Sequence, residues 1–136
     1  LEVARASRDQ EDEHSCFSDN THRDAVTNAQ GILNVWQGSY KRLDGSELQG
    51  PGIRDWVASK DSALADRTTR QITQSVQAAQ AIPAPFDQAI QGARDSASRA
   101  KIQATIDSLV QQSKDLVEAA NAVGITQLNL VDPKAN

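Results

Sequence analysis

"THRDAVTNAQGILNVWQGSY", residues 21–40, decides how the rest of the chain is read. Val26, Ala29, Leu33, Trp36 and Tyr40 recur at intervals of three or four, which places them on one face of an α-helix. A buried stripe accounts for all five and predicts a helix over the whole stretch. Asn20 or Thr21 is the expected cap, and Asp24, three residues beyond Thr21, imitates the acid of a capping box.

Working outward, "KRLDGSELQGPG" (41–52) gathers charge, Gly and Pro, which predicts a surface turn. The "GPG" at 50–52 offers backbone amides to an anion but lacks phosphate-loop spacing, so the turn suffices. A short helix "IRDWVASK" follows, with Trp56 as its expected anchor. Asp61 is placed to cap the next helix, whose buried face is predicted as Leu64, Thr68, Ile72, Ser75, Ala79 and Ile82. "IPAPF" ends it, because proline lacks an amide donor and restricts its predecessor.

The last long helix is expected from Asp87 to Val123, kinked near 92–96 and buried through Ile102, Ile106, Leu109, Val110, Leu116, Val117 and Ala120. Gly124 fits its C-terminal cap and "ITQLNLVDPKAN" a tail along the bundle. Upstream, "LEVARASRDQEDEH" reads as a helix to about His14, entered partway, as though earlier sequence with any export signal had been removed. The pattern as a whole predicts an all-α fold, an antiparallel helical bundle forming one domain over residues 1–136.

Composition agrees. Of 136 residues 38% are hydrophobic and 4% aromatic, enough for one modest core and better suited to helices than sheets. A net charge of −4 argues against nucleic acid or an acidic membrane as partner. One cysteine excludes an internal disulfide, and no apolar run reaches the roughly 20 residues that span a bilayer.

The chemistry concentrates in "EDEHSCFSDNTHRD" (11–24), which holds both histidines, the cysteine and five of eighteen acidic residues. Glu11 with His14, and Asp19 with His22, are acid-x-x-His pairs that would share a helix face. A di-iron centre of the Glu-x-x-His kind also needs glutamates from two more helices, and those are lacking. A mononuclear site is simpler: His14, His22 and Glu11 as metal ligands, with Glu13 or Asp19 nearby, suited to iron or zinc. The alternative is that Asp19, Asn20 and Thr21 cap a helix while the other charges face water. Cys16, beside Phe17, is expected to point inward as a small apolar residue rather than act as a nucleophile.

"DEHSCFSDNTHRDAVTNAQGILNVWQGSY", "GPGI", "PFDQAI" and "ASRAKIQATIDSLVQQSKDLVEAANAVGI" together resemble the C-terminal half of imelysin-family proteins, in particular their iron-regulated periplasmic branch. The resemblance covers nearly the whole chain, and the Glu-His-Ser-Cys-Phe-Ser-Asp-Asn-Thr-His string is its most specific part.

The resemblance implies an exported bacterial protein, often a lipoprotein, periplasmic or anchored to the outer membrane. It implies two helical bundles around a cleft, a link to iron uptake and its components, and an N-terminal bundle as this chain's partner. It also offers an alternative: half of a metallopeptidase of the insulin-cleaving imelysin type. The family's Gly-x-His-x-x-Glu motif belongs to the other half. Here His14 is followed by Ser15, Cys16 and Phe17, and His22 by Arg23, Asp24 and Ala25. Alone, the chain is not expected to hydrolyse peptides. Facing the cleft, Glu13, Asp19, Asn20 and Arg23 are the expected ligand-binding residues, with Arg23 orienting a carboxylate or other anion.

Overall fold

A computed structural model describes residues 1–93 and 95–128 of the chain. The elements run α1 (Glu2–Ser7), α2 (Thr21–Gln37), β1 (Ser39–Lys41), β2 (Glu47–Gln49), α3 (Ile53–Ala58), α4 (Ser62–Gln80), α5 (Phe86–Ala89) and α6 (Ala97–Ala122). The fold is an all-α helical bundle carrying one small hairpin.

α4 is the helix on which α2, α3 and α6 pack. Asp61 caps it as the sequence predicts, its Oδ1 accepting from the Leu64 amide at 2.9 Å. All six residues of its predicted face, Leu64, Thr68, Ile72, Ser75, Ala79 and Ile82, are buried. Ala65 and Val76 are buried as well, so α4 presents apolar surface to two neighbours at once. On one side Trp36 of α2 donates Nε1–H to Thr69 Oγ1 at 2.8 Å, while Ala29 packs near Val76 and Ala79. On the other, Leu64 and Ala65 meet Ala119 of α6, and Ile82 meets Ile102. Numbers rise on α4 as they fall on α2 and α6, so both neighbours run antiparallel to it.

The α4–α6 seam corrects one expectation. Val110 is half exposed, and the buried positions of α6 are Arg99, Ile102, Thr105, Gln112, Asp115 and Ala119. Polar pairing turns this helix. Gln71 Nε2 donates to the Ser108 carbonyl at 2.9 Å and to its hydroxyl at 3.0 Å, and Ser75 and Ser108 share a hydrogen bond at 2.9 Å. Arg67 pairs with Glu118 and lies 4.0 Å from Asp115, which also accepts from Gln111. Buried polar groups that find partners hold a rotation that hydrophobicity alone would not select.

Other boundaries differ from expectation. α1 stops at Ser7, where Arg8 turns left-handed (φ 62°), and a 3-10 turn over Gln10–Asp12 replaces the helix expected to His14. α2 ends at Gln37 because Gly38 adopts φ 68°, so Tyr40 leaves the helical stripe and sits half exposed in β1. The "KRLDGSELQGPG" turn is a hairpin, with Ser39 opposite Gln49 and Lys41 opposite Glu47. Its base closes on α2 so tightly that a Cβ on Gly38 or Gly52 would collide with the facing backbone. In α3 the anchor is Val57, fully buried, whereas Trp56 is half exposed. The expected kink before α6 is a full break between α5 and α6. Gly124, at φ 90°, follows the end of α6 as predicted. The tail's first residues are exposed at Ile125 and Leu128, and 129–136 lie outside the described residues.

Candidate functional site

The polar stretch 8–24 is pinned to the bundle at both ends. Before it, Ala4 of α1 is buried among Ile82, Phe86, Ala89, Ile90 and Ile102. Asp9 caps the 3-10 turn by accepting from the Glu11 amide at 3.0 Å. Gln10 Nε2 then donates to the Cys16 carbonyl at 2.9 Å, folding the loop on itself. Thr21 accepts from the Ser15 amide at 3.2 Å, and Ser15 donates its hydroxyl proton to Asp24. Thr21 and Asp24 therefore hold Ser15 instead of forming a capping box. Asn20 is the N-cap of α2 but makes no side-chain cap hydrogen bond. Asp19, with φ 49°, turns its Oδ1 to accept from the Asp87 amide of α5 at 3.0 Å.

This folding drives Glu13 inside. It is 6% exposed, and neither carboxylate oxygen makes a hydrogen bond of ordinary geometry, although the Thr21 side chain is close enough to act on it. Burial pushes its carboxyl above the ordinary 4.5, Asp19 and Asp87 push it the same way, and Thr21 and His22 oppose them. The neighbouring His22 has a buried Nδ1 that also lacks a partner. A buried acid and an imidazole in its vicinity thus leave polar atoms unused, an arrangement that normally costs stability.

The structure brings together Glu13, Asp19 and His22 and adds Asp87, which the sequence did not single out because α5 comes from the distant "PFDQAI" segment. It leaves Glu11, His14, Asn20 and Arg23 exposed at the rim. The acid-x-x-His pairs share no helix face: Glu11 and His14 straddle the end of the 3-10 turn, and Asp19 and His22 straddle the start of α2. Among the described residues, no group of three or more His, Cys, Asp and Glu side chains is arranged to hold a metal ion. Cys16 does not turn inward. It is half-buried and, with Gln10, Glu11 and the fully exposed Phe17, lines an open depression of about 630 Å³.

The structure is thus a helical bundle crossed at one end by a pinned acidic loop, with a buried carboxylate and imidazole beneath it. The family model described as Imelysin matches residues 1–116, and the chain belongs to that family. No curated protein matches the chain. No described helix is long and apolar enough to cross a membrane.

Proposed function

We propose that this chain is the C-terminal bundle of an iron-regulated, exported bacterial imelysin-family protein, periplasmic or anchored to the outer membrane. In this proposal it binds a metal ion, or a ligand carrying one, at a cleft against an N-terminal bundle and serves iron uptake. One observation carries the proposal: Glu13 and His22 hold buried, unpartnered donor atoms of the two kinds that borderline cations accept. Two such ligands do not complete a site. Iron or zinc requires further donors, and His14, Glu11 and Asp19 on the same loop, or groups from the second bundle or the ligand, supply them. Asn20 and Arg23, exposed beside the first turn of α2, contact the anionic part of a metal-bearing ligand.

The exposed apolar face of Ile32, Val35, Tyr40, Leu48, Ile53 and Trp56 supports a second packed body as partner. Thermal melts with iron(II) or zinc test the proposal on the chain and on the protein containing both bundles. Metal raises the midpoint of the two-bundle protein, and a Glu13→Gln/His22→Ala variant loses that rise. A midpoint indifferent to both metals in both proteins overturns it.

The raised carboxyl of Glu13 favours one second reading, half of a metallopeptidase, since a buried acid tuned upward is what a general base near neutral pH requires. Chelator-sensitive cleavage of a peptide library by the two-bundle protein, lost in Glu13→Gln, would establish it. Silence across the library removes it.

A further inference from the structure

A second polar cavity lies away from the acidic loop. It holds about 360 Å³ between the C-terminal end of α1, residues 92–93 and the first turn of α6, and Arg5, Ala6, Arg8, Gly92, Ala93 and Arg99 line it. Three guanidinium groups around one cavity are a concentrated positive field in a chain whose net charge is −4.

The three arginines do different things. Arg99 is 4% exposed and braces backbone, donating from Nη2 to the Arg5 carbonyl at 2.8 Å and from Nη1 to Gly92 O at 3.3 Å. A structural role accounts for it. Arg5 has no comparable role: its Nε is buried without a partner, and no described carboxylate pairs with it. Arg8 reaches Gly92 O only at 3.5 Å, the limit of a hydrogen bond, and likewise makes no ion pair among the described residues. Its other donors remain available.

The helix behind them adds to the field. α6 spans 26 residues, carries no acid in its first turn and has no side-chain cap from Ser96. The Ser96 hydroxyl is itself buried and unpartnered. The N-terminal end of this helix reaches the cavity through Arg99, and Asp95, just before the cap, is the acid nearest to it in sequence.

We propose that this cavity binds a compact oxyanion of two or more charges, phosphate or a small polycarboxylate, gripped by Arg5 and Arg8 at the N-terminal end of α6. Planar guanidinium forks match two oxygens at once, which favours phosphate and carboxylate over halide. The volume lies near the lower end for small-ligand sites, so a lone chloride leaves it largely unfilled. This site is independent of Glu13 and His22, and its occupant need bring no metal.

Isothermal titration of the 136-residue chain with inorganic phosphate and, separately, with citrate tests it, in metal-free chloride buffer. The expected result is one saturable site for at least one probe, weakening as salt rises. Binding of phosphate alone assigns a phosphate-bearing ligand, and binding of citrate alone assigns an organic acid. Arg5→Gln/Arg8→Gln weakens binding tenfold or more while the circular dichroism spectrum and melting midpoint hold, and Arg5→Lys/Arg8→Lys retains part of the affinity. If the double variant does not fold, Arg8→Gln alone, at an exposed residue, carries the test with a smaller loss. No saturable heat with either probe, or affinity unchanged in the glutamine variants, overturns the proposal.

Discussion

The α4–α6 seam and the 8–24 segment both bury polar side chains, and they treat them in opposite ways. At the seam, Gln71, Ser75 and Ser108 satisfy one another, and Arg67 meets Glu118 and Asp115. The Thr68 hydroxyl and the Gln112 Oε1, unpartnered there, are neutral and cost less than an orphaned charge. In the polar segment it is the charged Glu13, with His22, that goes without. A buried polar group with its partner in the same chain serves the fold. One whose partner is absent weakens the fold and is kept for something else.

The largest test of that contrast is energetic. Trp36 is 1% exposed, fills the core between α2 and α4, and anchors its indole N–H on Thr69. Trp36→Ala is expected to cost about 3–5 kcal/mol, the usual cost of emptying an aromatic site in a core. Phe17 is fully exposed on the polar segment, and Phe17→Ser should stay within about 0.5 kcal/mol. Urea unfolding of both variants reads the difference. A Phe17 variant as damaging as the Trp36 variant would mean that the loop is part of the core.

The second test concerns the orphaned acid. With its carboxyl raised in the folded state, Glu13 binds a proton more readily folded than unfolded. Its contribution is therefore fully present below the ordinary 4.5 and is lost as pH rises through the folded value, so ionised Glu13 opposes folding at pH 7. Glu13→Gln is expected to stabilise the chain at pH 7 by on the order of 1 kcal/mol, with the gain vanishing near pH 4. Melting midpoints of the two proteins from pH 4 to 8 measure it. A variant less stable than wild type at pH 7 would show that the carboxylate has found a partner.

How far the sequence reaches follows the same division. Most of the α4 face was legible because one helical period, one cap and one proline break fix it without outside help, while Ala65 and Val76, buried against a second neighbour, were not. α6 was legible at its C-terminal end but starts at Ala97 rather than Asp87, and it was misplaced in rotation, since Gln71–Ser108 and Arg67–Glu118 are cross-helix partnerships that one helix's apolar pattern does not contain. The polar segment was legible as chemistry and not as geometry. Arg8 and Asp19 take left-handed φ values that glycine would have announced and these residues do not. Those two turns bury Glu13, leave Glu11 and His14 outside, and bring in Asp87 across 68 positions of sequence.

Helix caps sharpen the comparison at smaller scale. Asp61 caps α4 with its own carboxylate, so Asp61→Ala should cost about 1 kcal/mol. Asn20 stands at the same position of α2 without a side-chain bond, and Asn20→Ala should cost a few tenths of a kcal/mol at most. Equal losses from the two alanines would mean that Asn20 caps in solution.

The smallest effect belongs to the hairpin, a third treatment of a carboxylate. Asp44 is fully exposed, and its Oδ1 accepts from the Ser46 hydroxyl at 2.6 Å and the Ser46 amide at 2.8 Å, hydrogen bonds that lower its pKa below the ordinary 3.8. The sign is the reverse of that for Glu13: the stabilisation is present above 3.8 and is lost as pH falls through the folded value. Asp44→Asn should lower the midpoint slightly at pH 7 and not at pH 2, and added salt should shrink the difference at pH 7. A gap that persists at pH 2 would place the effect in the turn's backbone rather than in the carboxylate's charge.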